Sequence, residues 1–195
     1  MLTVSYPEVW GFEHAFRGMR NPLKSHDKST ENADLILAKK LISAGPEHRK
    51  FLRQIFISMD IRAPRYWWMQ FDTYKIATTS NSESTMHTIM KEPFDLSDFS
   101  LNDDAFTSII FMDILSTLNK IRMDWCRTKC KKDWELLIQI LPQSYLQTRT
   151  VTFTYETALN IIKQRRGHKV KEWDIFISHL FKLPHMSEFY TAMEG

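Results

Sequence analysis

Apolar residues recur every three or four positions along much of this chain, a spacing that predicts helices. Ser29-Thr30 can cap one that runs from about Glu31 to a terminating Gly45. The longest is expected over residues 102–127, on an apolar stripe that includes Phe106, Ile109, Ile110, Ile114 and Leu118. Shorter helices are expected over residues 47–54, Arg65–Tyr74, 133–140, Glu156–Arg166 and Val170–Leu183.

The clearest strand pattern lies between residues 148 and 155, where threonines alternate with Arg149, Val151, Phe153 and Tyr155. Ile55–Met59 also fits a strand, although a helix continued from residues 47–54 fits as well. Residues 1–28 favour a short strand or turn followed by a loop. Because helices outnumber strands and the strands are scattered, the pattern predicts an α+β fold.

The composition is that of an ordinary globular domain, with 195 residues, 43% of them hydrophobic, and a formal net charge of +3. This near-neutral balance argues against a nucleic-acid coat or a membrane-surface protein. No stretch approaches the roughly 20 apolar residues of a spanning helix, and the N-terminus lacks the basic and apolar regions of a leader. We therefore expect one cytoplasmic domain over residues 1–195, with neither nucleic acid nor membrane as a partner.

Motifs that carry chemistry are sparse. The chain has no glycine-rich phosphate loop, and Cys126 and Cys130, four residues apart, cannot form a zinc site alone. No metal is expected. The polar stretch Ala77–Thr88 fits either a solvated loop or a ligand loop, which makes residues 77–100 the candidate ligand loop.

Arg149 is more informative, because it is charged and shares a strand face with Val151 and Phe153. A charge on an otherwise apolar face requires an anionic partner. Arg166 closes the helix that follows, so a strand and its next helix deliver two arginines, which suits a phosphate or a polar ring. A structural salt bridge between Arg149 and an Asp or Glu is the other interpretation.

Residues 141–175 resemble the C-terminal half of the flavin-dependent thymidylate synthases. That family shows Leu-Pro, then Tyr-Thr-Arg and a strand, then an Arg that closes a helix, followed by Ala-Gln-Trp-Glu-Ile. Here Thr148-Arg149, Leu159, Arg166 and the run at 172–175 fall at matching spacing.

The resemblance extends upstream, more loosely, to cover about residues 35–185. Ala63-Pro64 and Gln70 fit the family's Ala-Pro…Arg-Gln segment, and Glu83-Ser84 resembles its later Glu-x-Ser. Between them the family has Arg-His-Arg, where this chain has Thr73-Tyr74-Lys75.

The resemblance implies a mixed or antiparallel sheet flanked by helices, and a homotetramer with sites shared between subunits. It also implies a protein of the type expected on phage or mobile-element genomes. In the family, dUMP is held by residues that correspond to Gln70, Ser84, Arg149 and Arg166. The enzymatic interpretation is a flavin-dependent modification of that nucleotide, with reduced FAD supplying hydride.

This chain departs from the family on the flavin side. With Thr73-Tyr74-Lys75 for the triplet and Met86 for a further arginine, only Tyr74, Lys75 and Thr78 are left as cofactor contacts, and FAD binding is expected to be weak or lost. A second interpretation is therefore a non-enzymatic protein that sequesters a nucleotide or acts on a host protein, and a purely structural or interaction domain is a third. The rings of Tyr74, Tyr155, Trp67 and Trp68 fit either base stacking or the core.

Overall fold

The computed structural model describes residues 1–195, apart from the side chains of residues 105, 106 and 108. The side chain of Phe106, expected on the stripe of the long helix, lies outside the described residues. A four-stranded antiparallel sheet has the strand order β1-β2-β4-β3. Its strands are β1 (Thr3–Trp10), β2 (Phe56–Pro64), β3 (Thr79–Ser82) and β4 (Leu146–Thr154).

Helices account for most of the remaining chain. They are α1 (Phe12–Arg20), α2 (Glu31–Ser43), α3 (Arg65–Phe71), α4 (Thr85–Thr88), α5 (Ala105–Thr128), α6 (Lys131–Ile140), α7 (Tyr155–Arg165), α8 (Glu172–Leu180) and α9 (Met186–Glu194). Short 3-10 turns cover Asn21–Leu23, His26–Lys28, Lys50–Gln54 and Leu96–Asp98. The α+β fold and the antiparallel sheet are confirmed.

The central strands β2 and β4 explain the alternation in the sequence. Every second residue of β2 is buried, and β4 buries Val151 and Phe153. On the other face, the hydroxyls of Ser58 and Thr152 lie 3.1 Å apart, and the Thr150 hydroxyl donates to Asp60 Oδ1 at 2.6 Å. The alternating threonines therefore form the polar face of the sheet.

The chain forms two compact units, each assembled from several segments. Unit 1 comprises residues 1–3, 61–73 and 81–149. Within it, α5 packs against α6. Its core includes Ile89, Met90, Phe94, Phe99, Phe111, Leu115, Leu118, Leu137 and Leu141.

Unit 2 comprises residues 4–60, 74–80 and 150–195. Helix α2 packs on α9, where Lys39 and Glu188 form an ion pair of 3.0 Å. The core of this unit includes Phe51, Phe153, Tyr155, Trp173, Phe176 and Phe189. The single domain expected over residues 1–195 stays a prediction.

Some local expectations were wrong. The region 1–28 holds the helix α1 rather than only a loop, residues 47–54 include a 3-10 turn rather than an α-helix, and β3 and α4 lie inside the expected polar loop. Helix α1 begins after Gly11, whose φ of +98° only glycine adopts easily. A Cβ there would lie 2.2 Å from the Gln54 carbonyl oxygen, so this glycine permits close packing and does not interrupt structure.

His179 on α8 makes stability depend on pH. Burial, with the nearby charge of Lys182, lowers its pKa below the ordinary 6.5. Below pH 6.5 the His179 imidazole therefore binds a proton in the unfolded chain, whereas in the folded chain it binds one only at lower pH. Because acid then favours the unfolded state, the free energy of unfolding falls as the pH is lowered. In urea titrations at pH 7.5 and 5.5, His179→Gln should lose less stability on acidification than the wild type.

The control is His87→Gln, which changes an exposed histidine and should lose as much stability as the wild type. Equal losses in all three proteins would show that His179 does not cause the pH dependence.

Candidate functional site

The side chain of Arg149, on β4, is held on three sides and is only 17% exposed. Its guanidinium carbon lies 4.3 Å from the centre of the Trp68 ring. Its Nη1 donates to Asp72 Oδ1 at 2.8 Å, and its Nε donates to Gln147 Oε1 at 3.1 Å. We call Trp68, Asp72, Gln147 and Arg149 the Arg149 cluster. The cluster fixes the plane of the guanidinium before any ligand arrives.

Local sequence accounts for this arrangement. Trp68 and Asp72 are four residues apart on or just after α3, so they share one side of it. The Trp68 indole is buried, and its Nε1–H donates to the Gln147 carbonyl oxygen at 2.9 Å. Gln147 and Arg149 are two residues apart on β4 and so share a strand face. The structure shows the salt bridge that was the other interpretation of Arg149, with Asp72 as the carboxylate.

The segment that carries Ser84 is tied to the same stretch of β4. The Glu83 N–H donates to the Thr148 carbonyl oxygen at 2.9 Å, and Gln147 Nε2 donates to the Glu83 carbonyl oxygen at 2.7 Å. The exposed Ser84 comes next and begins α4. The candidate ligand loop is thus hydrogen-bonded to the strand that bears Arg149.

Gln70 and Arg166 lie elsewhere. Gln70 is half-buried on α3, but two residues from both Trp68 and Asp72, which places it on a different side of the helix. Arg166 is exposed, belongs to unit 2, and its guanidinium carbon lies 5.8 Å from the Tyr190 ring centre. Arg149 belongs to unit 1, so convergence of the two arginines on one anion stays a prediction.

The residues expected on the flavin side form a separate group in unit 2. The Tyr74 hydroxyl accepts from Arg165 Nε at 2.9 Å and donates to Gln164 Oε1 at 3.1 Å. Lys75 is exposed, and the Thr78 hydroxyl donates to the Ile76 carbonyl oxygen at 3.4 Å. The hydroxyl of Tyr74 is therefore occupied within the protein.

Sequence reasoning missed Arg165, which organises this second group. Its guanidinium carbon lies 4.9 Å from the Trp173 ring centre, and its Nη1 lies 3.2 Å from His168 Nε2. The Arg-Arg pair at 165–166 was the signal, but only its second member matches the family spacing. The first arginine faces inward and the second faces solvent.

Three of the four candidate stacking rings belong to the core. Trp67, Trp68 and Tyr155 are buried. Burial raises the pKa of Tyr155, whose hydroxyl donates to the Pro184 carbonyl oxygen at 2.8 Å. The core interpretation holds for these three, and Tyr74 is half-buried.

The chemistry that the Arg149 cluster offers is recognition of a planar or anionic group. An arginine stacked on an aromatic ring and oriented by a side-chain amide presents its remaining N–H groups in a fixed direction. Asp72, which is 51% exposed, is more accessible than the arginine that it pairs with. Among the described side chains, no set of three His, Cys, Asp or Glu residues is placed to hold a metal.

Comparison with known proteins defines the class of fold. No family model and no curated sequence matches the chain. Solved structures do match: the chain has the fold of the flavin-dependent thymidylate synthases, which confirms the resemblance seen in the sequence.

ThyX from Helicobacter pylori, in a crystal structure with FAD and dUMP, is 15% identical with a TM-score of 0.80, and the match covers 100% of both chains. The UMP/dUMP methylase PolB from Streptomyces cacaoi, bound with 5-Br UMP, is 13% identical with a TM-score of 0.72. That match covers 99% of this chain and 95% of the other. No helix in the described part of the chain is long and apolar enough to cross a membrane.

Proposed function

We propose that this chain binds a pyrimidine nucleotide of the dUMP type through Gln70, Ser84, Arg149 and Arg166. The orientation of Arg149 by Trp68 and Gln147 carries the proposal, because a guanidinium fixed in advance loses little freedom when it binds an anion. The shared fold supports it, since ThyX and PolB were crystallised with dUMP and a UMP analogue.

Each of these residues suits one part of such a ligand. Arginine forks bind phosphate or a carbonyl edge with two parallel hydrogen bonds. The Ser84 hydroxyl donates one hydrogen bond, and the Gln70 amide both donates and accepts, as recognition of a pyrimidine edge requires. The backbone contacts of Glu83 hold Ser84 beside β4, on the strand that carries Arg149.

Calorimetric titration tests this function. We expect dUMP to bind with one site per chain, and dAMP to bind at least tenfold more weakly because a purine does not fit the same edge. UMP serves as a second pyrimidine arm. Absence of heat with every pyrimidine nucleotide at millimolar concentration would contradict the proposal.

Asp72 is expected to oppose the ligand. Its carboxylate occupies Nη1 of Arg149 and places a negative charge next to the incoming phosphate. Asp72→Asn should therefore raise dUMP affinity by about threefold to tenfold, corresponding to roughly 0.7–1.4 kcal/mol. Asp124→Asn, which alters an exposed carboxylate paired with Arg127, is the matched control. Unchanged or weaker binding in Asp72→Asn would show that Asp72 only positions Arg149.

The residues on the flavin side do not fit FAD. A diphosphate needs cations or a helix N-terminus. Over residues 73–78 only Lys75 supplies an exposed cation, and Arg165 already donates to Tyr74. The Thr73 hydroxyl donates to the Gln70 carbonyl oxygen at 2.7 Å and cannot replace an arginine.

Loss of flavin affinity is directly measurable. We expect FAD to bind with a Kd above about 100 µM, with or without dUMP, because two cationic contacts are missing and each contributes roughly 1.5–3 kcal/mol. Quenching of FAD fluorescence gives the Kd. Sub-micromolar affinity, or yellow protein after purification, would contradict this and favour the thymidylate synthase-like enzyme.

The non-enzymatic interpretation is favoured by two expectations together: flavin binding is weak, and Arg149 and Arg166 are present to bind the nucleotide. Such a protein, of phage type and located in the host cytoplasm, would sequester its nucleotide or present it to a host protein. Incubating the protein with radiolabelled dUMP, a methylene donor, FAD and a reductant that keeps the flavin reduced should leave the nucleotide unchanged, whereas a labelled methylated product would contradict this interpretation.

We also propose that the chain assembles with copies of itself, as a tetramer. Helix α5 exposes a row of large apolar side chains, with Ile109 at 70% and Met123 at 66%. Met112 lies on the same side of α5 as these two, whereas the exposed Ile110 and Ile114 lie roughly 100–140° further round the helix. Exposed apolar side chains clustered on one helix are typical of an interface, and a second copy of α5 offers a matching surface.

A further inference from the structure

Unit 2 contains a cavity that involves none of the proposed nucleotide residues. It has a volume of about 880 Å³ and lies among the end of α1, the turns that follow it, α2, and the segment around Lys50–Gln54. This volume is within the range of sites that hold small organic molecules.

The cavity wall is largely apolar. Met19, Leu37, Leu41 and Phe51 line it, together with the exposed Leu23 and Ile36. Ile36 is 58% exposed although it lies on a helix with a buried face. A simple inorganic anion would leave this apolar surface in contact with water. The wall therefore favours a ligand that has an apolar body.

The charged side chains of the cavity wall are mainly positive. Lys28, Lys40 and Lys50 line the cavity, and none of them lies within 4.0 Å of a carboxylate among the described side chains. Glu47 is the acidic residue in the wall. Three lysines around an apolar space favour an acidic group at the mouth of the site.

Rigid contacts hold the walls apart. Arg20 at the end of α1 is buried, pairs with Asp34 of α2 and donates to the Ser25 carbonyl oxygen at 3.3 Å. The Ser29 hydroxyl donates to the second Asp34 oxygen at 2.7 Å. These bonds fix the loop between the two helices, so the cavity is formed before a ligand enters.

We infer that this cavity binds a small organic anion, namely one carboxylate, sulfonate or phosphate group attached to an aromatic or alkyl body. The body packs between Met19, Leu41 and Phe51, and the acidic group meets the lysines. A nucleotide fits less well, because its sugar and base present polar groups on all sides and the apolar wall cannot satisfy them.

The probe for the test is 8-anilinonaphthalene-1-sulfonate, followed by its fluorescence and by NMR of ¹³C-methyl methionine. We expect saturable binding at one site, with a shift of the Met19 methyl signal and none at Met86 or Met123, which are exposed elsewhere. The signal is assigned with Met19→Leu. The neutral analogue N-phenyl-1-naphthylamine should bind at least tenfold more weakly.

Two double variants with the same change in net charge complete the test. Lys40→Gln/Lys50→Gln should lower the affinity for the probe at least tenfold. Lys120→Gln/Lys169→Gln removes two exposed lysines outside the cavity wall and should leave the affinity within twofold of the wild type. Equal affinities in both variants, equal binding of the neutral analogue, or shifts at Met86 or Met123 in place of Met19 would each overturn the inference.

Discussion

Alanine at Arg149 or Arg166 is expected to weaken dUMP binding by about 2 kcal/mol or more, which is roughly thirtyfold or more in Kd. The reason is the loss of a charge-assisted, two-pronged contact that no neighbouring side chain replaces. Calorimetry on the two single variants measures the effect. Arg127→Ala, which removes an exposed arginine at the end of α5, should bind as the wild type does.

The same variants test whether the two arginines share one anion. Deoxyuridine lacks the phosphate, so variants that lose a phosphate contact should lose affinity for dUMP but little for deoxyuridine. If both hold one phosphate, the double variant should lose less than the sum of the single losses. Additive losses, or unchanged titrations, would show that Arg149 and Arg166 act at separate places.

Ile109→Glu/Met112→Glu is expected to convert the assembly into monomers of 23.2 kDa. Two carboxylates on the exposed face of α5 would have to be desolvated in any interface formed there. Analytical ultracentrifugation at micromolar concentration gives the mass. Ile36→Glu makes the same chemical change at an exposed isoleucine of α2 and should leave the assembly intact.

A wild-type chain that sediments as a monomer would refute assembly altogether. It would also remove the shared-site arrangement that the resemblance implies, because residues from a second subunit would be absent. Nucleotide binding by such a monomer would then have to come from the residues of one chain alone.

The sequence predicted elements with regular periodicity better than those without it. The threonine alternation located β4, and the apolar spacing located α2, α5 and α7. Helix α1 was missed because Gly11 and Gly18 resemble loop residues, whereas both lie in close contact with Gln54. That contact joins residues far apart in the chain, so local propensity does not show it.

In the candidate site, too, local patterns were predictable from the sequence and contacts between distant residues were not. The strand pattern identified Arg149 as a charge in need of a partner, but the partner Asp72 lies 77 residues away in sequence. Nothing local marks Asp72, and its contact depends on how α3 sits against β4 within unit 1. The same holds for Arg165, whose orientation toward Tyr74 and Trp173 depends on burial in unit 2.

A core that tolerates substitution explains how the fold persists at 13–15% identity to its structural neighbours. Buried positions need apolar side chains of suitable volume in the correct period, and many sequences meet that condition. Residues that contact a ligand are under a different constraint. On the proposed assignment, arginines stand at the nucleotide positions and are absent from the flavin positions, so the chemistry would change while the fold stays the same.

The stacking of Arg149 on Trp68 also gives the protein an optical signal of its own. The indole is buried, its N–H is fixed by Gln147, and a positive charge lies 4.3 Å from its ring centre. A charge so close to an indole shifts the energy of its excited state. An anion that binds the guanidinium changes the electric field at the ring and will therefore change the emission of Trp68, and Trp68→Phe will remove that change. Occupancy at Arg149 can thus be followed by intrinsic fluorescence, without a label.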